Sequence, residues 1–181
     1  LHDETLGCAL ECYAAGNCQN FADMFGISGK VRNMNRFSAR LPGHCAFWDV
    51  MVRCGFLREE PVMVNGTPVS PLEFCTALLT SQQQFWYRKD ERDVGYIRVE
   101  ARGRKNGTPV SVTHTIIDYA DLDAGLTSMQ RLVGFTVAIA ASLIANGNFT
   151  ERGLVMPMRV PLSLMQPELA KRDIHIMTNI D

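Results

Sequence analysis

The chain has 181 residues, 46% of them hydrophobic and 20% charged, a profile that suits one soluble globular domain with a sizeable core. Its 18 basic and 19 acidic residues leave a net charge of -1, so no basic excess exists to neutralise a phosphate backbone, and nucleic acid is not expected as a partner. The longest apolar run, 132–145, is read as too short to cross a bilayer, which leaves no expected membrane partner.

The six cysteines all lie in the first half and form no Cys-x-x-Cys pair. They are expected to be reduced, mostly buried thiols of a cytoplasmic protein, with no metal site. Two of the three Asn-x-Thr triplets contain Asn-Gly, which a tight turn explains better than glycosylation. The chain opens at Leu1 without a methionine, as a piece of a longer protein would.

In chain order, 7–13 reads as a short strand and 17–25 as a helix stopped by Gly26. A loosely alternating stretch, 30–40, reads as a strand that turns at Pro42-Gly43. Apolar residues at helical spacing (Phe47, Val50, Met51, Cys54) predict a helix over 44–54, ended by Gly55. Two apolar pieces around Asn65-Gly66 predict a small hairpin. Ser70, Pro71 and Glu73 form a helix-start pattern, so a helix is predicted over 71–79. The polar stretch 81–92 gives no element, and Glu91, Arg92 and Asp93 read as a solvated charge cluster.

The strongest strands are 93–104 and 108–119, joined by Asn106-Gly107 as a hairpin. Thr127-Ser128-Met129-Gln130 then opens a helix to about Asn146, with Gly147 as its stop. It carries a stripe of small residues (Gly134, Ala138, Ala141, Ala145) and a stripe of large ones (Phe135, Ile139, Leu143). Burial on most sides is therefore expected, with the small stripe allowing close approach to a sheet or a partner helix. A helix over 161–172 and a strand over 174–178 close the chain. Without repeats or linkers, the order predicts one α+β domain, a mixed or largely antiparallel sheet with helices packed on one face.

Catalytic motifs are absent: no Gly-x-Gly-x-x-Gly after a strand, no phosphate-binding loop, no Gly-x-Ser-x-Gly, and no histidines at metal-ligand spacing. Two local features remain. In Arg40-Leu41-Pro42-Gly43-His44 an arginine at a strand end and a histidine at a helix start flank a turn. A guanidinium there can grip a carboxylate, and helix-start amides add to it. On the spacing alone, a surface arginine and a capping histidine are the favoured reading. The second feature is Gln130-Arg131 in the first turn of the long helix, where a cation opposes the helix dipole. Either a carboxylate ligand or pairing with Asp121 or Asp123 would offset that. His114, mid-strand, reads as structural.

Residues 37–44, Phe-Ser-Ala-Arg-Leu-Pro-Gly-His, resemble the Thr-Leu-Arg-Tyr-Pro-Gly-His motif of the saccharopine dehydrogenase-like family. Met51 to Leu57 is similar to that family's Leu-x-x-Leu-Gly-Leu helix end. Asp118-Tyr119-x-Asp121 and Gly125 to Phe135 are similar to its Gly-x-Thr-Ala-Met helix start. Arg152-Gly153-Leu154-Val155-x-Pro157 and Val160-Pro161 follow in order, so the resemblance covers about residues 30–180.

The resemblance implies the second, α+β domain of such an enzyme, with NAD or NADP bound mainly by an N-terminal Rossmann domain not in this chain. It implies hydride transfer at an amine or imine centre of an amino-acid or polyamine substrate, and a homodimer. Arg40 is then the candidate for the substrate carboxylate, with His44 beside it. Gln130 and Arg131 would bind substrate at a helix start facing the cofactor cleft, and Thr127 and Met129 are cleft-facing candidates. No catalytic acid or base follows. Departures stand at Leu41 for an aromatic, Leu132-Val133 for a threonine pair, and Met158 for a frequent acidic residue. They leave the substrate open and keep a second reading, a catalytically inactive dimerisation and scaffold domain.

Overall fold

The computed structural model describes residues 1–181, the Gln19 side chain excepted. The chain is α+β and gathers into two compact units, Leu1–Trp86 and Tyr87–Asp181. Its strands pair antiparallel, but in four small sheets instead of one. Most pairings are local ribbons, and each ribbon satisfies its own inner edge.

In the first unit β1 (His2–Asp3) pairs with β2 (Cys8–Ala9) around a turn in which the Asp3 carboxylate accepts the amides of Thr5 and Leu6 at 3.0 and 3.3 Å. The strand expected over 7–13 is thus divided into β2 and β3 (Glu11–Ala14). β3 pairs with β4 (Phe37–Arg40), which keeps only the end of the expected 30–40 strand. The helices α1 (Gln19–Met24) and α2 (His44–Arg53) lie where the spacing places them. The hairpin β5 (Val62–Val64) and β6 (Thr67–Val69) turns at Asn65 and Gly66, both at positive φ as a type I′ turn requires. Ser70 Oγ accepts the Glu73 amide at 3.3 Å and opens α3 (Pro71–Ser81). The unread polar stretch holds a 3₁₀ turn, Gln83–Phe85, followed by Trp86, whose indole donates to the Thr80 carbonyl at 2.8 Å.

The cysteines are less buried than expected. All six are free thiols, but Cys12 and Cys54 are exposed, Cys8 and Cys45 are half-buried, and only Cys18 and Cys75 are buried. The elements of this unit are short, and few of its apolar side chains are enclosed: Leu10, Cys18, Ala22 and Cys75 are its buried apolar residues.

The second unit is built on two twelve-residue strands, β7 (Val94–Lys105) and β8 (Thr108–Tyr119), joined at Asn106-Gly107. β9 (Met177–Ile180) pairs with the other edge of β8, a little later in the chain than predicted. Ile174, expected in that strand, instead fills the core together with Ile139, Leu143, Phe149 and Leu169. These residues come from α4 (Ser128–Ala145), α5 (Leu162–Ala170) and the segments that follow each helix. His114 faces Thr178 across β8 and β9, Nδ1 to Oγ1 at 2.9 Å, a structural role as read.

α4 departs from expectation in two ways. It is not buried on most sides: Ile139 is fully enclosed and Leu143 nearly so, but Met129, Val133, Val137 and Ile144 are each more than half exposed. The stripe of small residues lies on the exposed side, and close approach is made elsewhere. A Cβ on Gly95 of β7 would come within 2.5 Å of Leu132, so this glycine lets the strand meet the first turns of α4. Secondly, at 18 residues α4 is long and apolar enough, by length and composition, to cross a membrane, since the cap adds a turn to the 132–145 run. In this unit its inner face packs on the Ile174 and Leu169 cluster.

Candidate functional site

Arg40 ends β4 and His44 begins α2. Between them Gly43 takes φ of 97°, a left-handed value that a Cβ would oppose. That reversal turns the first amides of α2 back toward β3. The register sets Glu11 opposite Arg40 and Tyr13 opposite Ser38. Opposed residues, and residues two apart, share a face of a ribbon, so these four side chains leave the same side.

Glu11 closes the arrangement. Its Oε1 accepts the Gly43 amide at 2.9 Å and its Oε2 accepts the Cys45 amide at 2.8 Å. These two bonds, the Gly43 one foremost, hold its carboxyl below the ordinary 4.5. Burial, and then the Glu11 carboxylate, push the Cys45 thiol above its ordinary 9.0. The helix-start amides expected to add to a ligand's binding are therefore taken by the chain's own carboxylate. Local sequence could not signal this, because Glu11 stands 32 residues before Gly43 and reaches it only through strand pairing.

Arg40 is exposed and donates from Nη1 to its neighbouring Ala39 carbonyl at 2.9 Å. Its guanidinium carbon lies 6.0 Å from the centre of the Tyr13 ring, and no carboxylate pairs with it among the described residues. The His44 ring lies parallel to Tyr13, within 2° and with centroids 6.3 Å apart, and Trp48 tilts against it at 6.2 Å. Arg40 and His44 thus meet around one tyrosine, with most of the guanidinium donors uncommitted within the chain.

Gln130 and Arg131 lie in the second unit, at the start of α4, and are already engaged. Thr127 Oγ1 accepts the Gln130 amide at 3.2 Å while Gln130 Oε1 accepts the Thr127 amide at 2.9 Å, the predicted capping box. The charge cluster before β7 is not merely solvated: Asp93 accepts the Ser128 amide at 2.8 Å and its hydroxyl at 2.6 Å, and Arg92 donates to the Ala120 carbonyl at 2.8 Å.

The Arg131 side chain is only 9% exposed and that of Asp118 4%. Nε and Nη2 of Arg131 grip Asp118 at 3.0 and 3.1 Å, Nη1 reaches Asp121 at 3.4 Å, and Nη2 also meets the Arg172 carbonyl at 3.0 Å. The bonds to Asp118 raise the guanidinium's pKa further. Pairing with Asp121 was one of the two open readings, and Asp118, the principal partner, is an addition to it. Both guanidinium groups of Arg131 and Arg172 also lie over the Phe135 ring, at 5.6 and 5.8 Å.

At the start of α4 the Ser128 and Gln130 amides are taken by Asp93 and Thr127 and the Thr127 hydroxyl is committed to the cap, so these groups are not open to a dinucleotide's phosphates, and the Met129 side chain is an exposed thioether. No group of three or more metal-ligating side chains occurs among the described residues. A polar hollow of about 320 Å³ in the first unit is lined by Asn17, Cys18, Arg32, Asn33 and Asn35 and includes none of the candidates.

The family model of the saccharopine dehydrogenase C-terminal domain matches residues 2–173. The chain belongs to that family, and so is a domain of an oxidoreductase, from a family that generally uses NAD(P). A search of the curated proteins finds no match.

Proposed function

With that membership as premise, we propose that the chain is the substrate-side domain of an NAD(P)-dependent oxidoreductase acting on a carbon–nitrogen centre of an amino-acid or polyamine substrate. The observation that carries the reading is Arg40: an exposed guanidinium braced by Tyr13 and unpaired with any carboxylate among the described residues. A guanidinium in that state can take a substrate carboxylate through two parallel hydrogen bonds. His44, stacked on the same tyrosine, borders the bound group. Gln130 and Arg131 contribute by holding the start of α4 in place.

The nicotinamide supplies or accepts the hydride. With the Ser128 and Gln130 amides of the α4 start already engaged, we assign its binding to an N-terminal nucleotide domain, and no chemical step is derived from this chain. We further propose a cytoplasmic homodimer. The exposed apolar residues of α4 support an association surface, and sedimentation showing only monomer at micromolar concentration would count against it.

The test is to follow NADH or NADPH absorbance in the full-length protein with a panel of α-amino acids, diamines and carbonyl compounds. Turnover with an amino acid or polyamine pair is expected. Arg40→Ala should raise KM at least about tenfold, about 1.4 kcal/mol of lost binding. An unchanged KM would remove Arg40 from the site. Cofactor binding without turnover across the panel would favour the inactive dimerisation and scaffold reading.

A further inference from the structure

Directly opposed residues of opposite charge on an antiparallel pair ordinarily attract one another. Glu11 and Arg40 are such a pair by register, yet they form no ion pair. The Glu11 carboxylate is drawn instead to the Gly43 and Cys45 amides, one oxygen to each. Two consequences follow from this one arrangement. The turn carrying Arg40 and His44 is tied to β3 at both ends of its reversal, by strand pairing at Arg40 and by the carboxylate at Gly43 and Cys45. In addition, both carboxylate oxygens already accept backbone amides, and no ion pair ties the guanidinium to them, which keeps its donors for an outside anion.

We infer that Glu11 is a positioning residue of the Arg40 site: it acts through the turn, holding Arg40 braced on Tyr13 and open to a carboxylate, without itself touching the ligand. The inference rests on the reading of Arg40 as the carboxylate-binding group. It makes a prediction that simple electrostatics reverses. Removing a negative charge from beside an arginine should strengthen anion binding, whereas loosening the turn that aims the arginine should weaken it.

The experiment uses the full-length protein, isotopically labelled, with acetate alone as the carboxylate probe and the Arg40 Nε–H signal as the reporter. Acetate should shift that signal saturably in the unmodified protein. Glu11→Gln should weaken acetate binding several-fold and speed hydrogen exchange of the Gly43 and Cys45 amides at least about tenfold, since a carboxamide oxygen can accept only one of them well. Gly43→Ala strains the same turn from its other end at φ of 97° and leaves the charge of Glu11 in place. It should weaken acetate binding to a similar extent, which keeps the inference testable if Glu11→Gln fails to fold.

Tighter acetate binding in Glu11→Gln would show a carboxylate that only repels anions and would overturn the inference. Unchanged binding in both variants would overturn it as well. An Arg40 signal that acetate does not move in the unmodified protein would sink the substrate-side reading of Arg40 and this inference with it, a failure distinguished by appearing before any substitution is made.

Discussion

Arg40 and Arg131 are the same side chain in two opposite conditions. In the second unit Arg131 is enclosed, gripped by Asp118, reached by Asp121 and satisfied by the Arg172 carbonyl. In the first unit Arg40 is exposed, held by one neighbouring carbonyl and an aromatic face, and pairs with no carboxylate among the described residues, its cross-strand partner being engaged elsewhere. A guanidinium whose donors are spent inside the chain organises structure. One whose donors remain available is where a ligand can be gained. Both are site candidates by sequence position, and they differ in how many of their donors the chain itself uses.

The sharpest way to break this comparison is Arg131→Ala. Removing one member of an enclosed ion pair leaves Asp118 uncompensated, which should cost about 3–5 kcal/mol in urea unfolding. A loss within about 0.5 kcal/mol, the range of an ordinary surface substitution, would place Arg131 with Arg40. Next in size is Gly95→Ala, which forces a Cβ against Leu132 and Ser128. Overpacking of this kind should cost about 1–3 kcal/mol. Asp93→Ala should cost a similar about 1.5–3 kcal/mol through its charged bonds to Ser128, read as a drop in the urea midpoint without a change in slope.

Arg40→Ala should sit at the other extreme, changing stability by no more than about 0.5 kcal/mol while raising KM. A large stability loss there would make Arg40 structural and erase the contrast. The smallest effect concerns pH. The folded carboxyl of Glu11 lies below 4.5, so its contribution is fully present above that value and is lost only as pH falls through the lowered one. The Gly43 and Cys45 amides should therefore stay protected at about pH 5, after correction for the intrinsic exchange rate, and lose protection only in stronger acid. Protection already lost near pH 5 would mean that the carboxylate is not their partner.

Local chemistry was legible wherever neighbours in the chain do the work. The two Asn-Gly turns, the Ser70 and Thr127 helix starts, and the long hairpin β7–β8 follow from residues within a few positions of one another. The ordered motifs from Phe37 to Pro161 pointed to the family whose model matches the chain. Those features are determined by the sequence because capping, turn geometry and period-two alternation act over one or two turns of backbone.

What only the tertiary structure decided is which polar groups find one another across long separations. Glu11 reaches the α2 amides from 32 residues away, and Asp93 reaches Ser128 from 35. The α4 stripes posed the same problem, since both are apolar and periodicity cannot say which one a neighbour will cover. The core took Ile139 and Leu143 of the large stripe, and left the small stripe of Gly134, Ala138, Ala141 and Ala145 outside. Burial and hydrogen-bond pairing are properties of surfaces brought together by the fold, and a one-dimensional pattern names the surfaces without naming their partners.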